Sequence, residues 1–158
     1  MWWARLLNVI SGLLAGGAAP DNGQFESIAT VTVGAGGASS ITFSSIPSTY
    51  KHLQVRGIGV YSGSVGSGYI AFNGDNAGSS YSYHAVGGGG TGTGTVALTS
   101  QAQGKFTGYA GTSTAAPNAI VMDILDYSNT NKYKTCRAFY CWDANGTGYV
   151  EFNSNLWM

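Results

Sequence analysis

The sequence predicts an all-β fold, an antiparallel β-sandwich or jelly roll, preceded by a short N-terminal helical or extended hydrophobic arm. Three observations carry this expectation. From Phe25 onward, about ten short segments alternate apolar and polar residues and are rich in Val, Ile, Thr and aromatics. Clusters of Gly, Ser and Thr separate those segments at near-regular intervals, as they do in sandwiches. An Asn145-Gly146 pair lies between two of them, and Asn-Gly is a strong hairpin signal.

The arm comes first in the chain. Residues 1–14 (MWWARLLNVISGLL) carry one charge, Arg5, and place Trp3, Leu6, Leu7, Ile10, Leu13 and Leu14 at helical spacing. Residues 16–23 (GGAAPDNG) then form a stop and a flexible link. A secretory signal peptide also fits an apolar stretch before small residues. A transmembrane span does not fit, because it needs about 20 apolar residues and the glycines come too early. An apolar stripe beside a glycine hinge favours an anchor that docks on a partner through Trp2, Trp3, Leu6, Leu7, Ile10, Leu13 and Leu14. The expected organisation is therefore an anchor arm and link over residues 1–24 and a β-sandwich domain over residues 25–158.

The strands follow in order. Residues 25–33 (FESIATVTV) and 40–44 (SITFS) flank a Gly34–Gly37 turn and read as a hairpin, ended by Pro47. Residues 52–61, 69–72, 81–86, 95–98 and 105–109 read as short strands between glycine-rich turns. Residues 119–125 (AIVMDIL) are nearly all apolar and suit a central buried strand. Residues 135–142 and 148–152 flank the Asn-Gly turn. Residues 87–94 (GGGGTGTG) read as a mobile surface loop.

Composition narrows the function. Charged residues make up 9% of the 158 residues, Lys+Arg 7 balances Asp+Glu 7, and aromatics reach 13%. Sparse, balanced charge supplies no basic patch, so nucleic acid is not an expected partner. The aromatic content and low net charge also oppose intrinsic disorder. A near-neutral surface lacks a device that keeps proteins apart, so the chain is expected to work inside an assembly.

Catalytic and metal-binding patterns are not found. No G-x-S-x-G elbow occurs, and Gly87, Gly89 and Gly92 meet G-x-G-x-x-G only because the run is almost all glycine. Asp123 and Asp126 would point to opposite faces of a strand, and Asp126-Tyr127-Ser128-Asn129 reads better as a strand-ending turn, as does Asp75-Asn76. His52 and His84 read as structural histidines. Cys136 and Cys141 lie five apart in one strand and face opposite sides, which gives free thiols and suits a reducing cytoplasm. The expectation is a non-enzyme without cofactor, metal or membrane association. Tyrosines in Gly/Ser surroundings (Tyr61, Tyr69, Tyr81, Tyr83 and Tyr109) are candidate glycan contacts.

Several linked motifs also carry a resemblance. FESIATVTV…SSITFSSIPSTYKHLQVRGIG, YIAFNGD…YSYH and MDILDYSNTNKYKTCRAF…NGTG…SNLW together resemble a β-module of tailed-bacteriophage virion genes, common in cyanophages and marine phages. The resemblance spans about residues 25–157. It implies a virion structural protein, assembled in the host cytoplasm, either a capsid cement or decoration protein or a tail-fibre, receptor-binding component. Its partners would be the major capsid protein or a tail component, and the chain is separately expected to associate with itself, as a homotrimer at a lattice axis. Members of the module run on past the Leu-Trp pair, whereas this chain stops at Leu156-Trp157-Met158. That difference implies a shortened version or a strand supplied in trans.

Overall fold

The computed structural model describes residues 25–61, 66–111 and 116–158, with the side chain of Tyr109 left undescribed. It is all-β and antiparallel. The strands are β1 (Leu53–Gly59), β2 (Gly66–Ile70), β3 (Tyr81–Gly89), β4 (Gly92–Gln101), β5 (Gly104–Ala110), β6 (Asn118–Leu125), β7 (Lys134–Asp143) and β8 (Gly148–Trp157). Six form one sheet in the order β1-β6-β7-β8-β3-β4, and β2 pairs with β5 in a second. The small sheet lies over one face of the large one, with β5 against β8 and β7. Contacts divide the chain into two units, Met1–Ile46 and Pro47–Met158, and all eight strands belong to the second.

Side-chain alternation sorts the large sheet into two unlike faces. The covered face carries Leu53, Met122, Ile124, Cys136, Ala138, Tyr140, Tyr81 and Tyr83, all buried. At its lower end Tyr81, Phe72 and Trp157 form an aromatic cluster, with the rings of Phe72 and Trp157 5.3 Å apart. The Tyr81 hydroxyl accepts from the Phe72 N–H at 2.8 Å and donates to the Asp75 carbonyl at 3.0 Å. Removal from water pushes the Tyr81 phenol above its ordinary pKa.

Local turn chemistry matches the sequence closely. Asn145 and Gly146 take positive φ between β7 and β8, and the Asp143 carboxylate accepts from the Asn145 N–H at 2.8 Å. Asn73 and Gly74 also take positive φ where Phe72 bridges Asp75, so the tight turn sits at Asn73-Gly74, just before the expected Asp75-Asn76. Asp126, also at positive φ, closes the expected turn after β6, with its N–H donating to His52 Nδ1 at 3.0 Å.

Two expectations fail. Residues 25–33 and 40–44 form no strands, although the turn between them is present as a Gly37 N–H to Gly34 carbonyl bond of 3.0 Å. Their pattern is that of a hairpin, but the segment is exposed almost throughout, and an isolated two-stranded hairpin has too little burial to hold itself together. The glycine run is not a loose loop either. It pairs as the tip of the β3–β4 hairpin, with Gly87 opposite Gly94 and Gly89 opposite Gly92. Gly87 and Gly89 are needed for close approach to β8. A Cβ at Gly87 would stand 2.7 Å from the Tyr149 hydroxyl and 2.8 Å from the Val150 carbonyl, and one at Gly89 would overlap the Gly148 carbonyl.

This packing separates glycines of the run by cost. Gly89→Ala is expected to lower stability by about 1–3 kcal/mol through overpacking. Gly94→Ala, with nothing within 4 Å of its Cβ, should stay within about 0.5 kcal/mol. Urea midpoints of the two variants measure the difference, and equal midpoints would contradict the close-approach account.

Candidate functional surface

The covered face of β8 is polar where a sandwich core is ordinarily apolar. Glu151, Asn153 and Asn155 alternate along it and are all buried, while Val150 and Phe152 point the other way and are exposed. The polarity of this strand is inverted, and its buried groups are hydrogen-bonded as burial demands. Asn155 Nδ2 donates to the Lys105 carbonyl at 2.8 Å, and its Oδ1 accepts from the Lys105 N–H at 2.7 Å. The Glu151 carboxylate accepts from the Gly108 N–H at 3.0 and 3.1 Å, from the Tyr149 hydroxyl at 2.9 Å and from Asn153 Nδ2 at 2.9 Å. Asn153 Oδ1 accepts from Asn155 Nδ2 at 2.9 Å, which links the three residues into a chain.

Asn118, at the start of β6, repeats the device. Its amide accepts from the Gly111 N–H at 2.6 Å and donates to the Gly111 carbonyl at 2.8 Å. The Tyr140 hydroxyl donates to the same Oδ1, and burial raises the Tyr140 pKa. The backbone at residues 105, 108 and 111 is thus satisfied by side chains of the large sheet, as a neighbouring strand would do. Among the described residues no buried side-chain nitrogen or oxygen lacks a partner. These groups hold the fold.

The opposite face of the large sheet is uncovered by the small one. Its central row runs Arg56, Val121, Phe139, Phe152, Val86 and Thr95 across all six strands. Phe139 and Phe152 meet at 4.7 Å between ring centres, and Phe152 is 59% exposed. The next row, Ile58, Ala119, Cys141, Val150, Gly88 and Thr93, is also mostly apolar. The row on the other side is polar: Gln54, Asp123, Arg137, Ser154, His84 and Ala97. There the Asp123 carboxylate accepts from Gln54 Nε2 at 2.7 Å and Arg137 Nε at 3.0 Å, and these bonds, Gln54 first, hold its pKa below the ordinary carboxylate value. Contiguous exposed apolar area of this kind marks interaction surfaces.

The residues singled out from sequence fall differently. Trp2, Trp3, Leu6, Leu7, Ile10, Leu13 and Leu14 lie outside the described residues. Of the candidate glycan contacts, Tyr61 and Tyr69 are exposed, at 42% and 52%. Tyr81 and Tyr83 are not surface residues: they are 0% and 5% exposed, because the small sheet and Trp157 cover the face they occupy. Tyr109 lies in β5, and its side chain is outside the description. Cys136 and Cys141 are free thiols on opposite faces, as their spacing implies. Among the described residues no three His, Cys, Asp or Glu side chains group as a metal site, and no helix is long and apolar enough to cross a membrane. Comparison with protein-family models, curated proteins and solved structures gave no match.

Two outcomes follow from the buried face. Asn155→Ala strands the N–H and carbonyl of Lys105 and should cost about 2–4 kcal/mol. Ser154→Ala on the exposed face should stay within about 0.5 kcal/mol, both read from chemical denaturation. Burial pushes the Cys136 thiol up to about 12. Its thiolate fraction at pH 8 is therefore about one in ten thousand, and mass-spectrometric mapping after maleimide treatment should find it modified only in unfolded protein.

Proposed function

We propose that the chain is a structural protein of a tailed-phage particle, a capsid cement or decoration protein that works by being buried against other virion proteins. One observation carries this reading: a broad apolar sheet face stands exposed on a chain with 9% charged residues and zero net charge. The resemblance of residues 25–157 to a phage virion β-module supplies the setting. In this role the arm residues Trp2, Trp3, Leu6, Leu7, Ile10, Leu13 and Leu14 dock on the capsid protein or a neighbouring subunit, and the β-domain associates with copies of itself. Apolar burial at about 25 cal/mol per Å² stabilises each contact, and multiple copies multiply the effect. The role uses no cofactor and no catalysis.

A second reading, a tail-fibre or receptor-binding protein, is favoured by the exposure of Tyr61 and Tyr69, which suit stacking against host glycans. Removing residues 1–14 should abolish loading onto particles while the remaining chain stays folded by circular dichroism. Full loading of the shortened chain would overturn the anchor. Copy number per particle separates the two readings, since a lattice protein is present in many copies and a tail component in a handful. Saturable binding on a glycan array, lost in Tyr61→Ala and Tyr69→Ala, would favour the second.

A further inference from the structure

The exposed face of the large sheet has the size and pattern of an interface with itself. Six strands spaced about 4.8 Å apart, with three facing rows, span roughly 30 by 20 Å, on the order of 600 Å² before side-chain relief is counted. Stable interfaces cover about 800 Å² per partner, so the face is close to one full partner in area.

The arrangement of rows selects the partner. A sheet packed on a copy of itself about a two-fold axis has that axis between the sheets, and aligned packing sets it along the strands or across them. The order β1-β6-β7-β8-β3-β4 puts the centre of the sheet between β7 and β8, where Phe139 and Phe152 meet. An axis along the strands sets β7 over β8 of the copy, β6 over β3, and β1 over β4. Each row then meets itself. Phe139 faces Phe152 of the copy, Val121 faces Val86, and the polar row puts the carboxylate of Asp123 opposite the imidazole of His84. An axis across the strands instead lays Asp123 and Arg137 over the row of Ala119, Cys141 and Val150, which strips charges of water without a partner.

We propose that a second copy of this chain covers this face, packed sheet to sheet about a two-fold axis along β7 and β8. Resting on the assembly role proposed above, this names its partner, and takes a pair rather than a trimer as the unit in solution. The pair is an aligned sheet packing, with the strands of the copies within about 30° of each other. A three-fold assembly joins unlike patches and so does not set this face on itself.

Sedimentation equilibrium of the full chain is expected to give twice the monomer mass. Phe152→Glu, at a position already exposed, should raise the dissociation constant by ~30-fold or more while circular dichroism and the urea midpoint of the monomer stay unchanged. In a Cys141→Ser background, Val121→Cys combined with Val86→Cys should be joined between copies by a short bismaleimide, and neither cysteine alone should be. A monomer at all concentrations overturns the pairing and gives the face to another occupant, either residues of Met1–Ile46 or a different virion protein. A trimeric mass, or a dimer that persists in Phe152→Glu, also overturns it, and cross-linking of either single variant rejects the axis. Particle loading of the unmodified chain separates the two ideas: if it is monomeric in solution yet still loads, the virion role stands and the pairing falls.

Discussion

Asn155, Glu151 and Asn118 hold the backbone of another segment with their side chains, and the rest of the β-domain is arranged around that fact. A strand such as β5 needs partners for both of its backbone edges. One edge goes to β2, and on the other the N–H groups of residues 105, 108 and 111 and the carbonyls of 105 and 111 are met by side chains rising from the face of the large sheet. This explains why β8 buries Glu, Asn and Asn, residues that strands ordinarily exclude. It also explains the need for glycine at residue 108, where a Cβ would stand 3.0 Å from a Glu151 carboxylate oxygen. Turning the polar side of β8 inward necessarily turns Val150 and Phe152 outward. The polar interior and the apolar exterior are two results of one choice of strand polarity.

The large sheet was legible because its strands obey local rules. Asn145-Gly146 marked the β7–β8 turn, Asp126 and Asn129 marked the end of β6, and the alternation in β7 sorted Cys136 from Cys141 before any contact was known. Alternation alone states which residues share a face and says nothing about which face is covered. For β8 the hydrophobic side is the exposed one, and only the neighbours of the strand decide that. The failure at residues 25–44 has the same origin. The period-two pattern and the Gly34–Gly37 turn are real, but the segment is exposed almost throughout, and strand pairing without burial does not hold.

The surface was harder to read than the fold. Tyr81 and Tyr83 sit in a short strand among Ser and Gly, which suggested a surface position, yet their cover comes from residues far along the chain, Trp157 and Lys105 among them. Spacing in the sequence carries no trace of such contacts. One signal was available: Glu151, Asn153 and Asn155 recur at period two inside a strand, where asparagine is rare, and a strand that places such residues on one face must satisfy them there. Recognising that pattern would have pointed to a polar interior and, on the other side of the strand, to the row that Val150 and Phe152 occupy.

An interface made of amide and carboxylate bonds responds to temperature differently from one made of aliphatic packing. Exposure of apolar area on unfolding raises the heat capacity, whereas exposure of polar area lowers it. The junction between the two sheets contributes Glu151, Asn153, Asn155 and Asn118 where an ordinary sandwich contributes Leu and Val. The share of these four side chains in the unfolding heat capacity is correspondingly small beside that of the buried Met122, Ala138 and Tyr83, so they bend the stability curve little at either end. That part of the small sheet's attachment weakens less on cooling than the same area of hydrophobic layer would, a thermal property set by three asparagines and a glutamate.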